Sequence, residues 1–90
     1  MRGKAVYCFG ISTDEFYDLL LKGDLRATAV VDILKSYKSF LGVLQKPEVN
    51  YQLFVFDNSK DRTEAFKKVE DLNLKTVRLA NSGSVPECMQ

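Results

Sequence analysis

The run Leu53-Phe54-Val55-Phe56 constrains this chain more than any other stretch. Aromatic and β-branched residues fit a pleated surface, and four apolar residues without alternation describe a strand covered on both faces. The run stops at Asp57-Asn58-Ser59, which is turn and cap chemistry. A helix is expected next. Asp61 and Glu64 have capping-box spacing, and Ala65, Phe66, Val69 and Leu72 recur on one face. Asn73 suits a left-handed C-cap, with Leu74 folding back onto the last turn. Val77 and Leu79 alternate with Thr76, Arg78 and Ala80, the pattern of a half-buried strand at a sheet edge. Two strands joined by a helix are expected to run parallel.

The part of the chain before this unit reads as strand, helix, helix. Ala5 to Ile11 is the first strand, with Gly10 placed for a close backbone approach or a tight turn. Ser12 and Glu15 form a capping box, Phe16, Leu19 and Leu20 give an apolar stripe, and Gly23 is the C-cap. Asp24 caps a second, longer helix, since Val30, Ile33, Leu34, Tyr37, Phe40, Leu41 and Leu44 keep helical spacing. Gly42 weakens its end and Pro47 closes it. The order strand-helix-helix-strand-helix-strand predicts an α/β fold, a three-stranded, mainly parallel sheet resembling half of a doubly wound fold. The long two-helix crossover also permits an antiparallel first strand. One domain is expected over residues 1–84, with 85–90 as a tail.

Composition removes several kinds of chemistry. The chain has 90 residues and no histidine, which excludes Ser-His-Asp and Cys-His catalysis within it, as well as histidine metal sites. A net charge of +1 argues against a nucleic-acid partner. Cys8 reads as strand packing and Cys88 as tail. With no CxxC and no disulfide framework, the reading is a reducing, cytoplasmic protein. The apolar run behind Met1-Arg2-Gly3-Lys4 is too short for a signal peptide or a membrane span.

Parallel strands would bring three loops to one edge of the sheet. Ser12 and Thr13 follow the first strand, Asp57, Asn58, Ser59, Lys60 and Arg62 the second, and Asn81 and Ser82 the third. Ligands of open α/β sheets bind at such an edge, and two helix N-termini there would suit an anion. These nine residues are the candidate site for a nucleotide or another phosphate-bearing ligand. Each also has ordinary cap or turn work available. Asp57 and Asp61 together have the oxygen chemistry of a divalent-cation site. No catalytic set, metal site or cofactor motif is assigned, since neither GxGxxG nor GxxxxGK[ST] occurs.

Phe56-Asp57-Asn58-Ser59-Lys60-Asp61-Arg62-Thr63 resembles the nucleotide-binding turn of family 2 glycosyltransferases, in which a strand ends in Asp and a Ser-x-Asp-x-Thr run follows. Asn81-Ser82-Gly83 is similar to that family's later Asn-x-Gly. The resemblance implies that Asp57 contacts a nucleobase. It is confined to these two stretches. The turn is one residue shorter than the family's, and the first strand ends in Gly10-Ile11-Ser12-Thr13 in place of a Pro-Thr-Tyr-Asn type of ending.

The leading functional expectation is therefore a small non-enzymatic interaction protein. It would bind a macromolecular protein partner through a surface patch or a sheet edge, with a homodimer as one way of covering that edge. The alternative is the nucleotide or phosphate binder. An enzyme without histidine would have to rely on a carboxylate, lysine, tyrosine, cysteine or metal.

Overall fold

The computed structural model describes residues 6–46, 48 and 50–78. Its elements are β1 (Tyr7–Ser12), α1 (Thr13–Lys22), α2 (Leu25–Lys35), β2 (Phe40–Lys46), β3 (Tyr51–Phe56) and α3 (Ser59–Glu70). The three strands form one sheet in the order β1-β3-β2, and both pairings are antiparallel. A single antiparallel bridge joins Gly10 to Arg78 on the outer side of β1. With that bridge, the chain follows the split β-α-β plan.

This corrects the mainly parallel sheet. Residues 40–44, expected as the end of a long helix, form a strand with 45–46, expected as loop, and α2 stops at Lys35. A connection as short as 47–50 can only turn the chain back on itself, so β2 and β3 are antiparallel. Two facts account for the switch. Phe40-Leu41-Gly42-Val43-Leu44 satisfies helical spacing and strand composition alike, and β3 needs a partner on each side. Gly42 has φ 136° beside the point where the register slips between Phe40 and Gly42, a backbone that favours glycine and marks a bulge.

All three helices contribute to a core on one face of the sheet. Leu19, Ala27, Val30, Leu34, Ala65 and Val69 pack with Phe9, Ile11, Phe54 and Phe56, and Leu74 joins them. Every residue of β3 is buried, as its unbroken apolar run predicts. The second face holds a smaller cluster of Cys8 and Val55, with Val6 and Leu44 against it. Gly10 supplies the predicted close approach. A Cβ there would lie 2.7 Å from Tyr51 Cδ2 and 2.9 Å from the Gln52 carbonyl oxygen.

The caps follow the sequence with two shifts. Ser12, Asp24 and Gly23 act as expected. Asn73 is left-handed (φ 63°), but the C-cap of α3 is Asp71, two residues earlier. The N-cap of α3 is Asn58 and not Asp61, because its side chain already accepts from the Lys60 and Asp61 amides. Cys8 is disulfide-bonded. Cysteine usage therefore no longer argues for a reducing compartment, since disulfides persist where conditions are oxidising. Among the described residues no helix is long and apolar enough to cross a membrane.

Candidate functional site

Antiparallel pairing separates the residues that the sequence had grouped. The register sets Tyr7 opposite Phe56 and Ser12 opposite Tyr51. Ser12 and Thr13 therefore stand at one end of the sheet, and Asp57, Asn58, Ser59, Lys60 and Arg62 at the other. The separation is roughly 17 Å, at about 3.4 Å per residue along the strand. Asn81 and Ser82 lie outside the described residues, as do Leu79, Ala80 and the predicted tail.

At the first end the polar groups satisfy one another. The Glu15 carboxylate accepts from the amides of Lys75 (3.2 Å) and Thr76 (3.1 Å) and from the Thr76 hydroxyl. Tyr51 donates its hydroxyl proton to the Thr76 carbonyl at 2.6 Å, and Gln52 Nε2 donates to Thr13 Oγ1 at 3.4 Å. The Thr13 amide donates to the Asn50 carbonyl at 2.9 Å. This network pins residues 75–78 beside β1, with the Arg78 guanidinium 5.0 Å from the Tyr51 ring centre.

At the opposite end, Ser39 donates its hydroxyl to Asp61 at 2.6 Å and its carbonyl accepts from the Asp57 amide at 2.9 Å. The Arg62 guanidinium lies over the Tyr7 ring at 5.6 Å. A shallow depression of about 420 Å³ on the flank of α3 is lined by Ser59, Lys60, Thr63, Glu64 and Lys67. Its charges are mixed. Among the described residues no group of three or more carboxylate or cysteine side chains could hold a metal ion together.

A different feature emerges at the outer side of β2. Among the described residues no strand pairs with that side, and Leu41 and Val43 are 54% and 50% exposed. Beside it, on the helix-covered face, lies a groove of about 330 Å³. Phe54 and Gln52 of β3, Phe40 and Val43 of β2, Phe16 of α1, and Val31, Leu34 and Lys35 of α2 line it. The groove wall is almost wholly apolar, although Gln52 and Lys35 contribute to it. Among the described residues β2 is the outermost strand on this side of the sheet. Leu20, one turn beyond Phe16 on α1, is half exposed and extends the apolar surface.

Sequence reasoning missed this site because it placed Phe40 to Leu44 in a helix. The signal present was the Phe40-Leu41-Gly42-Val43-Leu44 run closed by Pro47, which also reads as a short strand bounded by turn residues. Of the tyrosines singled out for exposure, Tyr17 is exposed and Tyr51 is buried. Compared with family models, with curated proteins and with solved structures, the chain matches none of them.

Proposed function

We propose that this chain is a non-enzymatic binding module that takes up an extended segment of a partner protein along the outer side of β2. The observation that carries this reading is the β2 edge, unpaired among the described residues, lying directly beside the apolar groove. An edge strand presents a row of unpaired amides and carbonyls, and an added strand satisfies them. Alternate side chains of an added strand face the same way. Those on the helix-covered face would enter the groove past Val43, and its neighbours would face the other side. Backbone bonds would supply affinity and the groove would select the side chain.

A phosphate-bearing ligand at Asp57, Asn58, Ser59, Lys60 and Arg62 is supported less well. The Asn58 side chain occupies the two α3 amides that an anion would use, and Arg62 is directed over Tyr7. The reading also leaves Ser12 and Thr13 in the network around Thr76, away from any ligand.

The test is selection of a displayed random-peptide library on the folded protein, followed by amide chemical-shift mapping with a selected peptide. Shifts centred on residues 40–46 and the groove are expected, with binding lost in Val43→Lys. Shifts centred on the start of α3 would overturn the reading. So would a dimer by light scattering that Val43→Lys converts to monomer, because the occupant of the edge would then be a second copy.

A further inference from the structure

We infer that residues 79–90 form a strap across the sheet face opposite the helices, closed by a disulfide between Cys8 and Cys88 and opened by its reduction. This is independent of strand addition at β2 and concerns a different surface.

The helices cover one face of the sheet, packing on Phe9 and Ile11 of β1 and on Phe54 and Phe56 of β3. Side chains alternate along a strand, so Cys8, Leu53 and Val55 point to the other face. A Cβ at Gly10 would lie 2.9 Å from Leu53 Cδ2, which places Leu53 on the same side. An antiparallel sheet with one face in water would leave these side chains wet. They are buried instead, Cys8 to 4% exposure and Leu53 and Val55 to 3% each. Among the described residues, the hydrophobic groups packed against Cys8 and Val55 are Val6 and Leu44, and neither belongs to a helix. Their cover therefore comes from chain outside the described residues.

Two stretches are long enough, 1–5 and 79–90. The first carries Arg2 and Lys4, which suit an apolar face poorly. The second holds Leu79, Ala80, Val85, Pro86 and Met89, with Glu87 as its only charge. The sulfur chemistry points the same way. Cys8 is disulfide-bonded, and Cys88 is the only other cysteine in the chain. Length permits the crossing. Arg78 pairs with Gly10 on the outer side of β1, and Gly10 is about 7 Å along the strand from Cys8. The stretch from Arg78 to Cys88 can span about 33 Å. Crossing from β1 to β2 takes about 10 Å, so the segment can pass over Val55 to Leu44 and return.

Reduction is a two-electron exchange with a dithiol. The S–S bond breaks, each sulfur gains one electron and one proton, and the dithiol closes to its own disulfide. The strap is then held by its apolar contacts alone, against the entropy of ordering its residues. Release uncovers Cys8, Leu44, Leu53 and Val55 as one apolar patch, a kind of surface that marks interaction sites. The chain would thus present one surface in oxidising surroundings and another in reducing ones.

The full chain is oxidised in a glutathione buffer, blocked with iodoacetamide and digested without reductant. One peptide pair joining Cys8 to Cys88 is expected. In the intact oxidised protein, NMR should connect the Leu53 and Val55 methyls to protons of residues 79–90. Dithiothreitol should abolish those connections and raise the fluorescence of a hydrophobic dye severalfold, with the amide shifts of α1 and α3 unchanged. The double variant Cys8→Ser, Cys88→Ser should resemble the reduced protein and be indifferent to dithiothreitol. Free thiols, or a pairing between chains, would overturn the inference. So would methyl contacts with residues 1–5 in place of 79–90. Contacts that persist after reduction would mean a cover that reduction does not open. Loss of all three helices on reduction would make the bond a staple of the whole fold. Under either result the redox-opened strap falls.

Discussion

Along the outer side of β1, Gly10 and Arg78 exchange both backbone hydrogen bonds, at 2.9 and 3.0 Å. The Glu15 carboxylate fixes the segment that brings Arg78 there. Along the outer side of β2 the described residues offer no such partner, and the exposed side chains of that strand include Leu41, Val43 and Gln45. An open edge carries an aggregation hazard that proteins usually blunt with charge, proline or a covering segment. Among the described residues one edge is covered, and the other carries a bulge together with exposed Leu41, Val43 and Gln45. The contrast makes the outer side of β2 the edge at which the proposed binding is tested.

The severest way to break the closed edge is Gly10→Val. The new side chain would meet Tyr51 and a backbone carbonyl that cannot move aside. A loss of about 3 kcal/mol is expected, at the upper end for overpacking. Urea denaturation measures it, and a loss close to zero would mean that Tyr51 does not lie over Gly10. Glu15→Ala is the gentler break. It removes the acceptor from two amides and a hydroxyl and should cost about 2 kcal/mol, in line with hydrogen bonds to a charged group. Its signature is local: hydrogen exchange at the Gly10 amide should accelerate while the β2–β3 pairing keeps its protection.

At the open edge the expected cost in stability is smaller and the effect on binding larger. Val43→Lys places a charge where the side chain is already half exposed, so stability should change by less than about 1 kcal/mol. The selected peptides should no longer bind. If Val43→Lys destabilised the protein as much as Glu15→Ala, the β2 edge would be structural and the contrast between the two edges would fail.

How much of this was legible depends on whether local chemistry had one solution. Leu53 to Phe56, short, aromatic and β-branched and closed by turn residues, reads as a strand covered on both faces, and it is one. Ser12, Gly23 and Asp24 had cap roles that nothing else at those positions satisfies, and they hold them. Residues 40–44 had two solutions. Helical spacing and strand composition coincide there, and what decides is the need of β3 for a second neighbour, a fact about the assembled sheet. That one choice also set strand direction. It moved Asp57 to the end opposite Ser12 and created the β2 edge and its groove. The candidate site was therefore unreadable for the same reason as the sheet, since a site at strand ends inherits any error in strand direction.

The smallest expected effect concerns the approach to the closed edge. The Asp24 carboxylate accepts from the Arg26 guanidinium at 2.8 and 3.1 Å and from the Arg26 amide at 2.9 Å. Arg26 also reaches the carbonyls of Leu72 and Asn73, just before the segment that covers β1. The hydrogen bonds from the Arg26 side chain, then from its amide, lower the Asp24 pKa from 3.8 to about 2. A carboxylate with a depressed folded pKa contributes stability that is present above its ordinary value and is lost as pH falls through the folded one. The loss should therefore fall between about pH 4 and pH 2. Phe40 to Lys46 contains no Asp or Glu, so no side chain of β2 titrates in that window. A carboxyl-detected NMR titration should show Asp24 with a midpoint near 2, moving back toward 3.8 in Arg26→Gln. Amide shifts at residues 72–78 should follow it while those of β2 stay level. Equal movement at both edges would mean that acid acts on the whole sheet, and Arg26 would then have no special part in holding one side closed.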